Sequence, residues 1–400
     1  MRNLFLLFGF ILISLWANAA KPEQVDTIID HISYTLDIAN QTALLVSGND
    51  CSGAINIPSS IEYKNMQFDV NEIEYNAFKN NSDITSVIIP SSVSSIGHQA
   101  FFCCWNLEEV VMEYSNITTI AYAVFSNCYK LKTIRLPNTV KEIGQSAFNS
   151  CEALYSIYLP NSIERIYMYA FNECKNLKEV HIEDISNWCQ VYEEGLYSNP
   201  FLFSDGDLYV GENLVEDLII PSGVISIGNQ KFIRCGSIKS VEFSKSIEYI
   251  DGFAACQNLK SINIYSSADI SYTAFNKCPQ LEIVNCYVSE PPTLQNTIYN
   301  TNGEEVNAFY QSYPELMTLH VPQGAKKIYE GSYGWKDFGT IIDDLPNDSG
   351  VDEVTINESK PIEIFNLNGV SVFYGIGDYK LPGGIYIIRQ GWKSKKIVIK

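Results

Sequence analysis

Eleven cysteines and four histidines are the residues of this 400-residue chain best suited to bond-making or metal-holding chemistry. A thiol catalyst needs a cysteine beside a base, and Cys103-Cys104, shortly after His98, is the local pairing that fits. The other histidines, His31, His181 and His320, are scattered, and no Gly-x-Ser-x-Gly, Walker loop or His-Glu-x-x-His sequence occurs. Metal binding calls for Cys-x-x-Cys or closely paired histidines, and neither spacing is present. Asp205 and Asp207 in "SDGDLYVGE" are spaced like calcium-loop ligands, but the rest of that ligand series is missing, so a turn is expected. One catalytic alternative remains, a hydrolase whose carboxylates come from a single segment: Glu193, Glu194, Asp205 and Asp207, with Trp188 nearby. The reading is therefore of no catalytic residue, no metal ligand and no cofactor.

The cysteines have a different regularity. Cys104, Cys128, Cys151, Cys174, Cys235, Cys256 and Cys278 each stand three residues before a Leu or Ile that opens an apolar run. Phe78, Phe101, Phe125, Phe148, Phe171, Phe232, Phe253 and Phe275 recur with them, and the unit reads P-x-x-V-x-x-I-G-x-x-A-F-x-x-C-x-x-L-x-x-V-x-L. A fixed period of this length implies a solenoid, because one unit cannot bury its own apolar side whereas stacked units can. In the copy at 137–159, Ile157 and Leu159 lie two apart and share one face of a short strand. The proline that follows cannot donate to a ladder and ends it. Gly144 is expected to permit a tight bend, and Ala147-Phe148 to plug the space beneath the next coil. The cysteine column then consists of small core side chains, read as buried free thiols rather than disulfides; an odd total forbids complete pairing.

The motif "LPNTVKEIGQSAFNSCEALYSIYLP" resembles the BspA-like branch of the leucine-rich repeat family, over most of residues 31–342. The resemblance implies a β-rich leucine-rich-repeat solenoid with one parallel strand per coil of about 23 residues, strands spaced by about 4.8 Å. It places an N-terminal β cap at 21–56, repeats at 57–286, and a closing repeat and C-terminal cap at 287–342, where Trp335 and Phe338 cover the last coil. The usual asparagine ladder of such repeats is missing, and 183–218 is an insertion whose "LYVGENLVEDLII" reads as a hairpin with a Gly-Glu-Asn turn. After a linker at 343–357, residues 358–400 change to alternating β-formers broken by Asn368-Gly369 and Gly383-Gly384, a small β-sandwich of four or five strands. "FNLNG", "LPGGIYII" and "KKIVIK" resemble the C-terminal sorting domain of type IX secretion substrates, which implies contact with that machinery.

Each repeat strand turns two positions away from the core. One column is Ser86, Glu109, Thr133, Ser156, Glu179, Ser240 and Ser261, a solvated face. The second includes Arg135, Tyr158 and His181 on consecutive coils, then Glu242, Asn263 and Asn285. Arg and Tyr favour interfaces, so Arg135, Tyr158 and His181, with Glu109, Glu242 and Asn263 around them, are the candidate binding patch. His181 would add pH dependence.

Location and partner class follow from the termini and the charge. Arg2, the 13-residue apolar run Leu4–Trp16 and Ala17-Asn18-Ala19 read as an export signal at 1–20; a bilayer span needs about 20 residues, so no membrane span is expected. Formal charge is −19, while the last fifty residues are net positive, so the excess acid lies in the body of the chain. Such a body repels phosphate backbones and argues against nucleic acid. The expected protein is secreted or displayed at the cell surface, binds an extracellular protein or glycan without catalysis, and by family resemblance serves adhesion. A structural surface-layer role is the other non-catalytic option.

Overall fold

The computed structural model describes residues 24–112, 114–195, 197–228, 231–295, 298–299, 305–346 and the strands 362–366, 371–375, 384–390 and 393–399. The expected export signal at 1–20 and most of the expected linker lie outside the described residues. Two compact units result, 1–345 and 346–400.

The first unit is a β-solenoid. Strands Gly53–Asn56, Ile84–Ile88, Glu109–Val111, Thr133–Arg135, Ser156–Leu159, Glu179–Ile182 and Asp207–Val210 pair in parallel, in chain order. The short strand Asn213–Leu214 closes that sheet antiparallel. A second parallel sheet then starts at Asp217–Ile219 and runs through Ser240–Glu242, Ser261–Ile264, Ile283–Cys286 and Thr318–Pro322 to Thr340–Leu345. The return path of each coil adds a two-residue strand, such as Glu142–Ile143 between Thr119–Ile120 and Arg165–Ile166. At the N-terminus, strands Gln24–Ile29, Ile32–Asp37, Thr42–Ser47, Met66–Ile73 and Ser60–Tyr63 form a mainly antiparallel cap that joins the first return strand, Ser95–Ile96.

Two columns fill the core. Phe78, Phe101, Phe125, Phe148 and Phe171 stack with centroids 4.9, 5.5, 5.7 and 5.6 Å apart, and Phe232, Phe253, Phe275 and Phe309 continue at 5.2, 5.8 and 5.6 Å. Trp335 and Phe338 meet Phe309 edge-on and close the column. Beside it, each repeat cysteine is buried and unpaired. Except at Cys235, whose thiol lies 3.6 Å from Ser237 Oγ, the thiol donates to the carbonyl of the phenylalanine one coil back: Cys104 to Phe78 at 3.1 Å, Cys128 to Phe101 at 3.2 Å, Cys151 to Phe125 at 3.2 Å and Cys174 to Phe148 at 3.1 Å. Cys256 and Cys278 do the same to Phe232 and Phe253. At the two ends the position is polar. Asn81 bonds the Gly48 and Cys51 carbonyls of the cap, and Ser312 bonds the Phe275 carbonyl. The cysteine is thus the small side chain that packs and also satisfies an inward-facing carbonyl, the task of the missing asparagine ladder.

The expected bend at Gly144 is corrected. Its φ is not positive; instead, a Cβ there would sit 2.7 Å from the Ile120 carbonyl oxygen, so glycine is required by the close approach of the preceding coil. The left-handed backbone lies on either side of the phenylalanine, at Ser146 and Ser150 in that coil and at Ala255 in a later one.

The C-terminal unit contains four described strands in one antiparallel sheet, ordered Ser371–Gly375, Ile362–Asn366, Gly384–Gln390, Lys393–Ile399, with Ile364 and Ile388 buried. Among the described residues this is one four-stranded sheet, which shows the expected small sandwich only in part. The turn residues Asn368, Gly369 and Gly383 lie outside the described residues.

Candidate functional site

Parallel pairing in register puts Arg135 opposite Tyr158 and Tyr158 opposite His181. The Arg135 guanidinium lies 3.7 Å from the Tyr158 ring centroid. Tyr158 stacks on His181 at 4.1 Å, and His181 on Tyr209 at 4.6 Å. Four side chains from four successive strands therefore form one continuous stack. Arg135, Tyr158 and His181 line a groove of about 350 Å³, whose walls include Tyr114, Asn138, Gly211 and Glu212. Glu212 reaches Arg135 at 3.8 Å, with both groups well exposed, an arrangement worth at most about 1 kcal/mol.

Within the stack, His181 is the residue that is buried. His181 is only 5 % exposed; one ring nitrogen lies 2.8 Å from the Gly211 carbonyl oxygen and the other 3.4 Å from Glu179. The hairpin that follows Tyr209 folds its tip onto the imidazole, so His181 packs inside the stack. Ser156 also leaves the solvated column: it is buried and hydrogen-bonded to Thr133 at 2.8 Å. Glu109 is exposed on the first sheet. Glu242 and Asn263 belong to the second sheet, beyond the break at the hairpin, where Asn263 is bonded to Asn285 at 2.8 Å. Arg135, Tyr158 and His181 are brought together; Glu242 and Asn263 are not part of that groove. Sequence reading missed Tyr209, Gly211 and Glu212, although Leu208-Tyr209-Val210 has the strand pattern of a repeat. The hairpin itself forms with Val210 opposite Asn213, so its turn is Gly211-Glu212 and Asn213 is already paired.

The catalytic alternatives meet structural uses of the same groups. His98 accepts the Tyr122 backbone N–H at 3.2 Å through Nδ1, and Cys104 is committed to the core. In the 183–218 segment, Asp184 caps the helix Ile185–Gln190 by accepting from Asn187 N at 2.9 Å. That helix inserts Trp188 into the core, where it meets Phe201 edge-on at 6.4 Å. Glu193 is sealed inside with Lys231 at 3.1 Å, and burial pushes its carboxyl up. Asp205 sits on the surface, paired with Arg234 at 2.8 Å. Glu193, Glu194, Asp205 and Asp207 line neither the Arg135 groove nor the small hollow beside Trp188. Among the described residues no helix is long and apolar enough to cross a membrane.

The pattern described as "BspA type Leucine rich repeat region" matches six copies over residues 55–193 and 209–337. No curated protein matches the sequence. Among solved structures, a leucine rich cell surface protein from Faecalibacterium prausnitzii is 19 % identical and covers 82 % of this chain and 99 % of its own, with a TM-score of 0.38. A leucine-rich repeat protein from Bacteroides ovatus is 22 % identical over 78 % and 97 %, with a TM-score of 0.30. The T. pallidum leucine rich repeat protein is 21 % identical over 64 % and 91 %, with a TM-score of 0.36.

Proposed function

We propose, on the premise that the chain belongs to the BspA type leucine-rich repeat family, as its matched repeats establish, that it is an exported, non-catalytic binding protein at the cell surface. Its partner is an extracellular protein or glycan, and its role is adhesion. The observation that carries this reading is the Arg135–Tyr158–His181 row along one groove, backed by Tyr209 stacked on His181. A guanidinium held flat on a tyrosine, itself backed by two further rings, is an ordered donor that loses little entropy on binding. The faces of Tyr158 and His181 are occupied within the stack, so a partner there meets ring edges, the Tyr158 hydroxyl and the Arg135 N–H groups. Repeat solenoids commonly bind through such extended surfaces. Residues 358–400, by their resemblance to type IX sorting domains, would direct export.

The test begins with the full chain on a glycan array and against immobilised extracellular-matrix proteins. Once a ligand is found, Arg135→Ala with Tyr158→Ala should lower affinity at least tenfold while thermal melting stays near the parent's. Unchanged affinity in that variant would remove the groove as the site. Secretion of the chain with and without residues 358–400 tests the export role; equal secretion of both sinks it.

A further inference from the structure

Among the described residues the parallel sheet is interrupted between Val210 and Asp217, where the hairpin strand ends the first sheet and the second begins. The two stretches of matched repeat stop and resume on either side of 194–208. At this break the interior holds a charged cluster. Lys231 and Glu193 side chains are each 2 % exposed, with Nζ 3.1 Å from Oε1. The Lys231 ammonium also donates to the Val191 carbonyl at 2.6 Å and faces the Trp188 ring at 4.9 Å. Asn199, also buried, places Nδ2 3.3 and 3.2 Å from the two oxygens of Glu193. Its Oδ1 accepts the Phe201 backbone N–H at 2.8 Å.

We propose that this cluster is a self-modification site, in which Lys231 and Asn199 join through an isopeptide bond with Glu193 as the proton carrier. Asn199 Nδ2 also reaches the Lys231 backbone carbonyl at 3.3 Å, so the two residues are neighbours. Glu193 touches both the nucleophile, Lys231 Nζ, and the leaving nitrogen, Asn199 Nδ2. The Phe201 N–H polarises the Asn199 carbonyl and holds the negative charge that forms on Oδ1. Glu193 takes a proton from the Lys231 ammonium, and the neutral amine attacks Asn199 Cγ. The new nitrogen passes a proton by way of Glu193 to Nδ2, the Cγ–Nδ2 bond breaks, and ammonia leaves. One C–N bond forms and one breaks, nothing is oxidised or reduced, and Glu193 ends protonated.

The driving circumstance is the cost of taking two charges out of water to bury an ion pair. The reaction abolishes both charges, and a carboxyl pushed up by burial is suited to keep the proton. Trp188 and Phe201 cover the cluster, and fixed positioning gives such intramolecular attacks effective concentrations of roughly 10⁵ M or more. The product would be a covalent strap across the place where the strand ladder is broken.

The experiment is a proteolytic peptide map of the purified full chain by mass spectrometry. The expected result is one linked pair of peptides carrying Asn199 and Lys231, lighter than their sum by one ammonia, with no tryptic cleavage after Lys231. Unlinked peptides for both residues at full yield overturn the proposal and leave the cluster a buried ion pair. Glu193→Gln should abolish the linked pair; a linked pair that forms in this variant as completely as in the parent overturns the role given to Glu193.

Discussion

Phe148→Ala removes the fourth of the five rings in the first aromatic column. The ring is fully buried, 5.7 Å from Phe125 and 5.6 Å from Phe171, with interplanar angles of 10° and 8°. Truncating a buried phenylalanine costs about 3–5 kcal/mol, the spread reflecting how far the site collapses. Collapse is limited here. The neighbouring coils are held at strand spacing by the paired strands Thr133–Arg135, Ser156–Leu159 and Glu179–Ile182, and the Cys151 and Cys174 thiols pin the Phe125 and Phe148 carbonyls. The expected loss is therefore at the upper end, about 4–5 kcal/mol. At roughly 2–4 °C per kcal/mol for a large domain, the melting temperature should fall by about 8–20 °C if the solenoid unfolds as one unit. Calorimetry gives that shift, and hydrogen exchange should show loss of protection spreading from residues 125–171 in both directions, since each coil supports the next. A variant that melts within a degree or two of the parent would refute the stacked-coil packing argued for this column.

Cys151→Ser should retain more stability than Cys151→Ala, because a hydroxyl already does this job at Ser312 while alanine strands the Phe125 carbonyl at a cost of about 1–3 kcal/mol; urea midpoints for the two variants give the order. In the folded protein at pH 8, thiol reagents should modify Cys103 first, since burial pushes Cys104, Cys174 and Cys189 up to about 12. After unfolding without reductant all eleven cysteines should label, and labelling of fewer than half contradicts the free-thiol column. Gly144→Ala should destabilise by about 1–3 kcal/mol through the clash with the Ile120 carbonyl. Ala255→Gly, at φ +59°, should be neutral or stabilising by up to about 1 kcal/mol; a denaturant series that reverses these two signs rejects the backbone account.

The period, the strand positions and the Phe and Cys columns were legible in the sequence because a solenoid repeats one local solution. Every copy places the same residue against the same neighbour, so self-similarity alone exposes the core. Arg135, Tyr158 and His181 were legible as a row for the same reason, each occupying the same place in its strand. What each side chain meets was set by tertiary structure. The thiols' partners are carbonyls one coil back, and Gly144 is demanded by a backbone that passes it from the preceding coil. His181 is buried by a hairpin tip thirty residues further on. Glu193 finds Lys231 across thirty-eight residues of chain. Neither contact belongs to the repeat. They arise where the period fails, between Phe171 and Phe232, and there only the folded coils decide which groups face one another.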